Sequence, residues 1–256
     1  MGGIICYCFL SLALNRLRPY KLAQQAIGDA ILSTAKYMHL KALMYDKHTD
    51  YDENYRSLID RQITLHAKQD LVREILFKTR SIVKESTHKG RTLLAVFKDT
   101  VDLFEQIMSS HVSYKLLHGV IDEELLGSFE KTIAGVATEL EFIGIAMQSG
   151  NRSVPHHSTA QAISELEVYF DNYWNRFLDS TNAEALSSLR QVIENIKSIH
   201  SRILIMHRYT AYDPGFQAKV DPDVDRNQFI SLTEINLQSF FFHFNFESNL
   251  FRFSLR

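Results

Sequence analysis

After Pro19, hydrophobic positions return every three or four residues, the period of one helix face. In "KLAQQAIGDAILSTAKYMHLKALMYD", Ala26, Ile27, Ala30, Ile31, Ala35, Met38 and Ala42 form a broad stripe. It stops near Asp46, where "DKHTDYDEN" is polar and turn-rich. A second helix is predicted from about Asp52 to Thr87, with Leu58, Ile59, Ile63, Leu65, Leu71, Ile75, Leu76, Ile82 and Val83 as its apolar content. Gly90, in "STHKG", supplies a left-handed residue to close it. The third helix, Arg91 to about His118, repeats Leu94, Phe97, Val101, Phe104, Met108 and Val112. Lys98, Asp99, Asp102 and Glu105 share its wet side, and Gly119 marks the break after it. A fourth, Asp122 to about Gln148, carries Leu125, Leu126, Phe129, Ile133, Val136, Leu140, Ile143 and Met147.

"SGNRSVPHHS" then interrupts the pattern, and residues 150–158 are the best internal boundary. Thr159 to Leu178 and Asn182 to about Tyr209 read as a helical hairpin, with Ser180, Thr181 or Asn182 capping its second arm. Pro214, Gly215 and Pro222 make Ala211 to Phe229 a loop. The fold class is all-α: a multi-helix bundle of long antiparallel helices.

Both ends of the chain are apolar. The run Ile4 to Leu14 holds no charge and is followed by Arg16, Arg18 and Lys21. It covers about half of the ~20 residues that cross a bilayer. Its cations follow the apolar stretch, the reverse of a signal peptide. Residues 1–17 therefore read as the end of a transmembrane helix, 18–243 as a cytoplasmic helical domain, and 244–256 as the entry to a further membrane domain. The cations beside both apolar segments place the domain on the cytoplasmic side.

Composition narrows the picture. Only 10 Gly and 4 Pro in 256 residues argue against a sandwich or barrel. A formal charge of −2 gives no electrostatic reason to expect nucleic acid. Cys6 and Cys8, the chain's 2 cysteines, sit two apart in the apolar run, a poor geometry for a disulfide and too few ligands for zinc.

Three places invite chemistry. "DPDVDRNQFISL" begins like a calcium loop, but Arg226 and Leu232 stand where an EF-hand needs Gly and a bidentate Glu. His111, Tyr114 and His118 recur at helical steps without a carboxylate at metal-binding spacing. His156 and His157 fall in a Pro-containing loop and read as exposed and without partners. No phosphate loop, His-Glu-x-x-His or Gly-x-Ser-x-Gly occurs. The expectation is a protein that is not an enzyme and carries no cofactor or metal.

Three phrases, "AKYMHLKALMYD", "GRTLLAVFKDTVDLFEQIMSSHVSYKLL" and "FNFESNLFRFSLR", resemble the central soluble region of the YccS/YhfK branch of the FUSC family. These are bacterial inner-membrane proteins related to the fusaric-acid-resistance and aromatic-acid exporters. Tyr37, Leu40, Lys41, Tyr45 and Asp46 match the first phrase. Asp102, Glu105, Ser109, Ser110, His111 and Tyr114 match the second, with Ile107 and Met108 where the family has a charged and a small residue. Phe244, Glu247, Ser248, Leu250, Phe251, Arg252 and Arg256 match the third.

The resemblance implies a soluble domain between two membrane domains of an inner-membrane transport or efflux protein, linking and coupling them. The alternative is a free-standing helical interaction scaffold. The expected partners are the flanking transmembrane domains of the same full-length chain, the membrane and further copies in a homo-oligomer. Ser109, Ser110, His111 and Tyr114 are expected to form a structural polar cluster inside the third helix. Asp102, Glu105, Glu247, Ser248, Phe251 and Arg252 are expected to share a structural or coupling role.

Overall fold

A computed structural model describes residues 19–78, 88–110, 112–178 and 181–210. All belong to one compact unit, Met1–Gln217, and the connection at 150–156 lies inside it. Among the described residues there are seven helices and no strand: α1 (Pro19–Leu43), α2 (Tyr51–Lys78), α3 (His88–Ser109), α4 (Tyr114–Val120), α5 (Glu123–Ser149), α6 (His157–Phe177) and α7 (Ala183–Thr210). None is long and apolar enough to cross a membrane. The apolar run from Ile4, the aspartate loop from Asp221 and the stretch from Phe244 with Glu247, Ser248, Phe251 and Arg252 lie outside the described residues.

α1 is the central helix, packed on α5, α2 and α3. Its predicted stripe is buried throughout, from Ala26 to Ala42, and Gln24, Ser33, Thr34 and Tyr37 are buried too, because three neighbours cover it. Small residues let α5 come close. A Cβ on Gly28 would sit 2.8 Å from the Gly144 carbonyl oxygen, and one on Gly144 would sit 2.7 Å from Leu32 Cγ. At the other end of α1, Asp46 folds the turn by accepting from His48 N at 2.9 Å and Thr49 Oγ1 at 3.0 Å. Asp50 then caps α2 by accepting from the backbone N–H of Asp52 and Glu53, each at 3.0 Å.

α2 and α3 run antiparallel, with Gln62 beside Met108 and His66 edge-on to Phe104. α2 buries Leu58, Leu65, Gln69, Val72 and Leu76, whereas Ile63 and Leu71 point to solvent. Two expected boundaries move. Gly90 lies inside the first turn of α3 and closes nothing, and Gly119 lies inside α4, which ends after Val120. In α3, Phe97, Val101 and Phe104 are buried as the spacing predicts, but so are Leu93, Val96, Leu103 and Ile107. Packing against both α1 and α7 widens the stripe, while Met108 is left exposed.

Local chemistry sets the limits of α5. Asp122 accepts from Leu125 N at 2.8 Å at its start, and Gly150 ends it with φ 76°. Its eight predicted apolar positions are all buried. α6 returns along α5, and α7 packs on α3, α5 and α6. Asn182, directly before α7, donates its side-chain amide to Phe177 O at 2.7 Å and so closes the α6–α7 turn.

The pairings fix which ends coincide. Gln24 Nε2, near the start of α1, donates to Met147 O at 2.7 Å, near the end of α5. Ser153 N donates to Thr210 Oγ1 at 2.8 Å, at the end of α7. The described chain therefore enters and leaves the bundle at one end, beside the α5–α6 connection.

Candidate functional site

At the opposite end from those exits, two of the matched phrases meet. The predicted single helix from Arg91 to His118 is broken: α3 ends at Ser109 and α4 begins at Tyr114. Ser109 Oγ donates to Gln106 O at 3.1 Å and Ser110 Oγ to Ile107 O at 2.8 Å. Such hydroxyls compete with the backbone N–H groups that would continue the helix. Lys41, from α1, donates its ammonium to Ile107 O and to Ser110 Oγ, the latter at 2.8 Å. A cation on the last carbonyls is favourable at a helix C-terminus. The serines thus mark a helix end and are not part of a continuous helical face. Ser109 is exposed, Ser110 half-buried and Tyr114 buried; His111 lies outside the described residues.

Tyr114 stands edge-on to Tyr45 with ring centroids 5.3 Å apart, and Tyr45 stacks on Phe129 at 5.9 Å. Tyr37 meets Phe104 edge-on at 5.3 Å. Burial pushes the hydroxyls of Tyr45 and Tyr114 well above the usual phenol range and Tyr37 up to about 12. The Tyr114 hydroxyl points toward that of Tyr45 without full hydrogen-bond geometry. Lys41 as a residue is only half-buried, but its ammonium is drawn in among protein atoms. The loss of water lowers its pKa to about 7. No carboxylate among the described residues lies within ion-pair distance of it. His118 turns away to Met44 O, 3.0 Å from its Nε2.

Asp102 and Glu105 do not join this junction. Asp102 accepts from Lys98 at 2.9 Å and lies 3.7 Å from Arg202 of α7. Desolvation, reinforced by the Asp102 charge, raises the Glu105 carboxyl. Asp99 is not on a wet side either: it accepts from Tyr209 OH at 2.7 Å, and desolvation raises its pKa.

A second polar centre has no counterpart among the predicted residues. Glu139 of α5 is 1 % exposed. Its Oε1 accepts from His156 N at 3.0 Å and lies 3.2 Å from His207 Nε2. Its Oε2 is 3.5 Å from His200 Nε2. Burial by itself would raise this carboxyl, but the His200 and His207 imidazoles, the His156 N–H and Thr159, all facing it, outweigh that and hold the group well below the usual carboxylate range. His156, the residue before α6, makes no side-chain cap, so the α5 carboxylate serves the start of α6 instead. The His156 ring is exposed but not without a partner: it stacks on Phe142, with centroids 4.7 Å apart. The only sequence signal was an acid among apolar positions, between Val136 and Ile143, and histidines seven apart on the buried side of α7.

Neither centre gathers metal ligands: among the described residues no group of three or more His, Cys, Asp or Glu could hold an ion. The first is a helix-end junction with a weakly basic lysine; the second is a carboxylate clamp joining α5, α6 and α7. No curated protein and no solved structure matches the chain. The family described as "FUSC-like inner membrane protein yccS" matches residues 1–203, the part that holds both of these centres except for His207. The chain belongs to this FUSC-like family of inner membrane proteins.

Proposed function

We propose that this chain supplies a non-catalytic helical domain on the cytoplasmic side of an inner-membrane transport protein, linking two membrane domains and coupling their movements. The observation that carries this reading is the shared end: the described chain enters at Pro19 and leaves at Thr210 beside the same connection, 150–156. A domain built this way fits between two consecutive membrane segments without spanning anything itself. The charge-free run Ile4 to Leu14 just before the entry, and the aromatic stretch "FFFHFNF" after the exit, support membrane segments on both sides. Family membership supports a membrane transport-related protein.

Cysteine labelling tests the sidedness. Cys6 and Cys8 are replaced by serine, and one cysteine is placed at exposed Ser164 of α6 in the full-length protein. A membrane-impermeant maleimide should leave intact cells unlabelled and react after permeabilisation. Labelling of intact cells to the same extent would overturn the cytoplasmic assignment.

A further inference from the structure

We propose that the end of the bundle where the chain enters and leaves is a docking surface for the anionic bilayer, the domain's own charge distribution pressing it against the lipid headgroups. This rests on the membrane-linked reading above and adds a surface, a lipid class and an orientation to it.

Charge separates along the bundle. At the entry end, Lys21 of α1, Arg152 of the α5–α6 connection and Arg208 of α7 are exposed. Arg91 of α3 is also exposed, and it lies about two turns beyond Asp99, which is level with Tyr209. Among the described residues the exposed carboxylates toward that end are Asp29, Asp70, Glu74 and Glu165; Asp29 accepts from Gln148, Asp70 is paired with Arg73, and Glu165 accepts from Gln161. The far end is the reverse among the described residues, its exposed carboxylates outnumbering the exposed cations Arg56, Lys115 and Arg176. Asp50, Asp52 and Glu53 at the start of α2 are exposed, as are Asp122, Glu123 and Glu124 at the start of α5. Glu123, Glu124, Asp46 and Glu130, with Lys47 and Lys131 among them, border a groove of about 610 Å³ there. A dipole of this sense turns its positive end toward anionic headgroups and its negative end away from them.

Exposed apolar side chains occur at both ends, with Leu43, Met108, Phe177 and Leu178 at the far end, but the entry end sets the more exposed ones beside its cations. Leu22 is 56 % exposed, Ile145 54 % and Val154 61 %, all within two turns of the entry end or in its connection. Side chains of this kind, beside cations, suit the boundary between headgroups and acyl chains. The chain's own order supplies the occupant: the charge-free run Ile4 to Leu14 comes just before Pro19, where the described chain enters this end.

Vesicle sedimentation of the full 256-residue chain tests the surface. The vesicles are phosphatidylcholine alone, or phosphatidylcholine containing a third phosphatidylglycerol. Wild type should favour the anionic vesicles at least tenfold, less so as salt rises. Arg91→Glu/Arg152→Glu/Arg208→Glu should lose that preference, at about fivefold or more per cation. Lys115→Glu/Lys131→Glu/Arg176→Glu changes the net charge equally but elsewhere, and should bind like wild type. Should the first triple variant not fold, Arg152→Glu/Val154→Asp, both in the exposed connection, tests the same face with an expected tenfold loss. Equal binding to both vesicles, equal losses from both triple variants, or self-association in place of vesicle binding would each overturn the proposal. Protection from maleimide in cells, with an entry-end variant that still binds like wild type, would sink this surface and leave the domain's sidedness standing.

Discussion

The two ends of the bundle each hold a buried ion, and they hold it in opposite ways. Lys41, at the far end, meets a carbonyl and a hydroxyl, and burial lowers its pKa to about 7. Glu139, nearer the entry end, is buried too yet stays ionised, because two imidazoles, a backbone N–H and a threonine hydroxyl face it. Depth alone does not decide the protonation state; the number and polarity of the partners do. The lysine terminates one helix, whereas the glutamate ties three together.

The sharpest way to break this contrast is to remove the ion that joins three helices. Glu139→Ala leaves His200, His207 and the start of α6 without their acceptor and should cost about 3–5 kcal/mol, read from denaturant unfolding. Glu139→Gln, which keeps some hydrogen bonds, should cost roughly 1.5–3 kcal/mol. A cost below about 0.5 kcal/mol for both would show that the clamp holds nothing. Next in size is the glycine contact that sets the α1–α5 spacing. Gly28→Ala brings a methyl against the Gly144 carbonyl and should cost about 1–3 kcal/mol by overpacking, measured as a lowered Tm.

The two ions should also give pH signatures of the same sign in separate windows. The folded pKa of Glu139 is depressed, so its contribution is complete above the unfolded value near 4.3 and is lost as pH falls below it. For Lys41 the folded pKa is also lowered, and again the unfolded chain binds the extra proton, now in the alkaline range. Stability should therefore rise as pH climbs from about 7 toward the unfolded value near 10.4. Lys41→Met should abolish that alkaline rise while leaving the acid limb unchanged. Thermal melts across pH resolve both, and a rise that persists in the variant would assign it to another group. The smallest effect belongs to the Asp99–Tyr209 bond: Tyr209→Phe should cost about 1 kcal/mol.

The parts of this molecule that were legible in the sequence are those whose causes are local. α5 is the clearest: an aspartate cap, a three-and-four repeat and a glycine stop all lie within the segment itself. The stripe of α1 was legible for the same reason, but not its full width, because the number of neighbours around a helix is not written in its own period. The break at Ser110 depends on Lys41, 69 residues away. Gly28 and Gly144 look like weak points in helices until two backbones are seen to approach there. Of the candidate residues, Lys41, Tyr45, Ser110 and Tyr114 do converge, yet Asp102 and Glu105 face elsewhere. The Glu139 clamp was missed because a buried acid is disclosed only by donors from other helices.

That the described chain enters and leaves at one end of the bundle is the claim on which the functional reading depends, and one distance tests it directly. Spin labels are placed at exposed Gln25 and Arg208, with Cys6 and Cys8 replaced by serine. The expected separation is about 20 Å, two helix diameters across the bundle. A separation near 40 Å, about the length of a helix the size of α7, would put the two exits at opposite ends and contradict it.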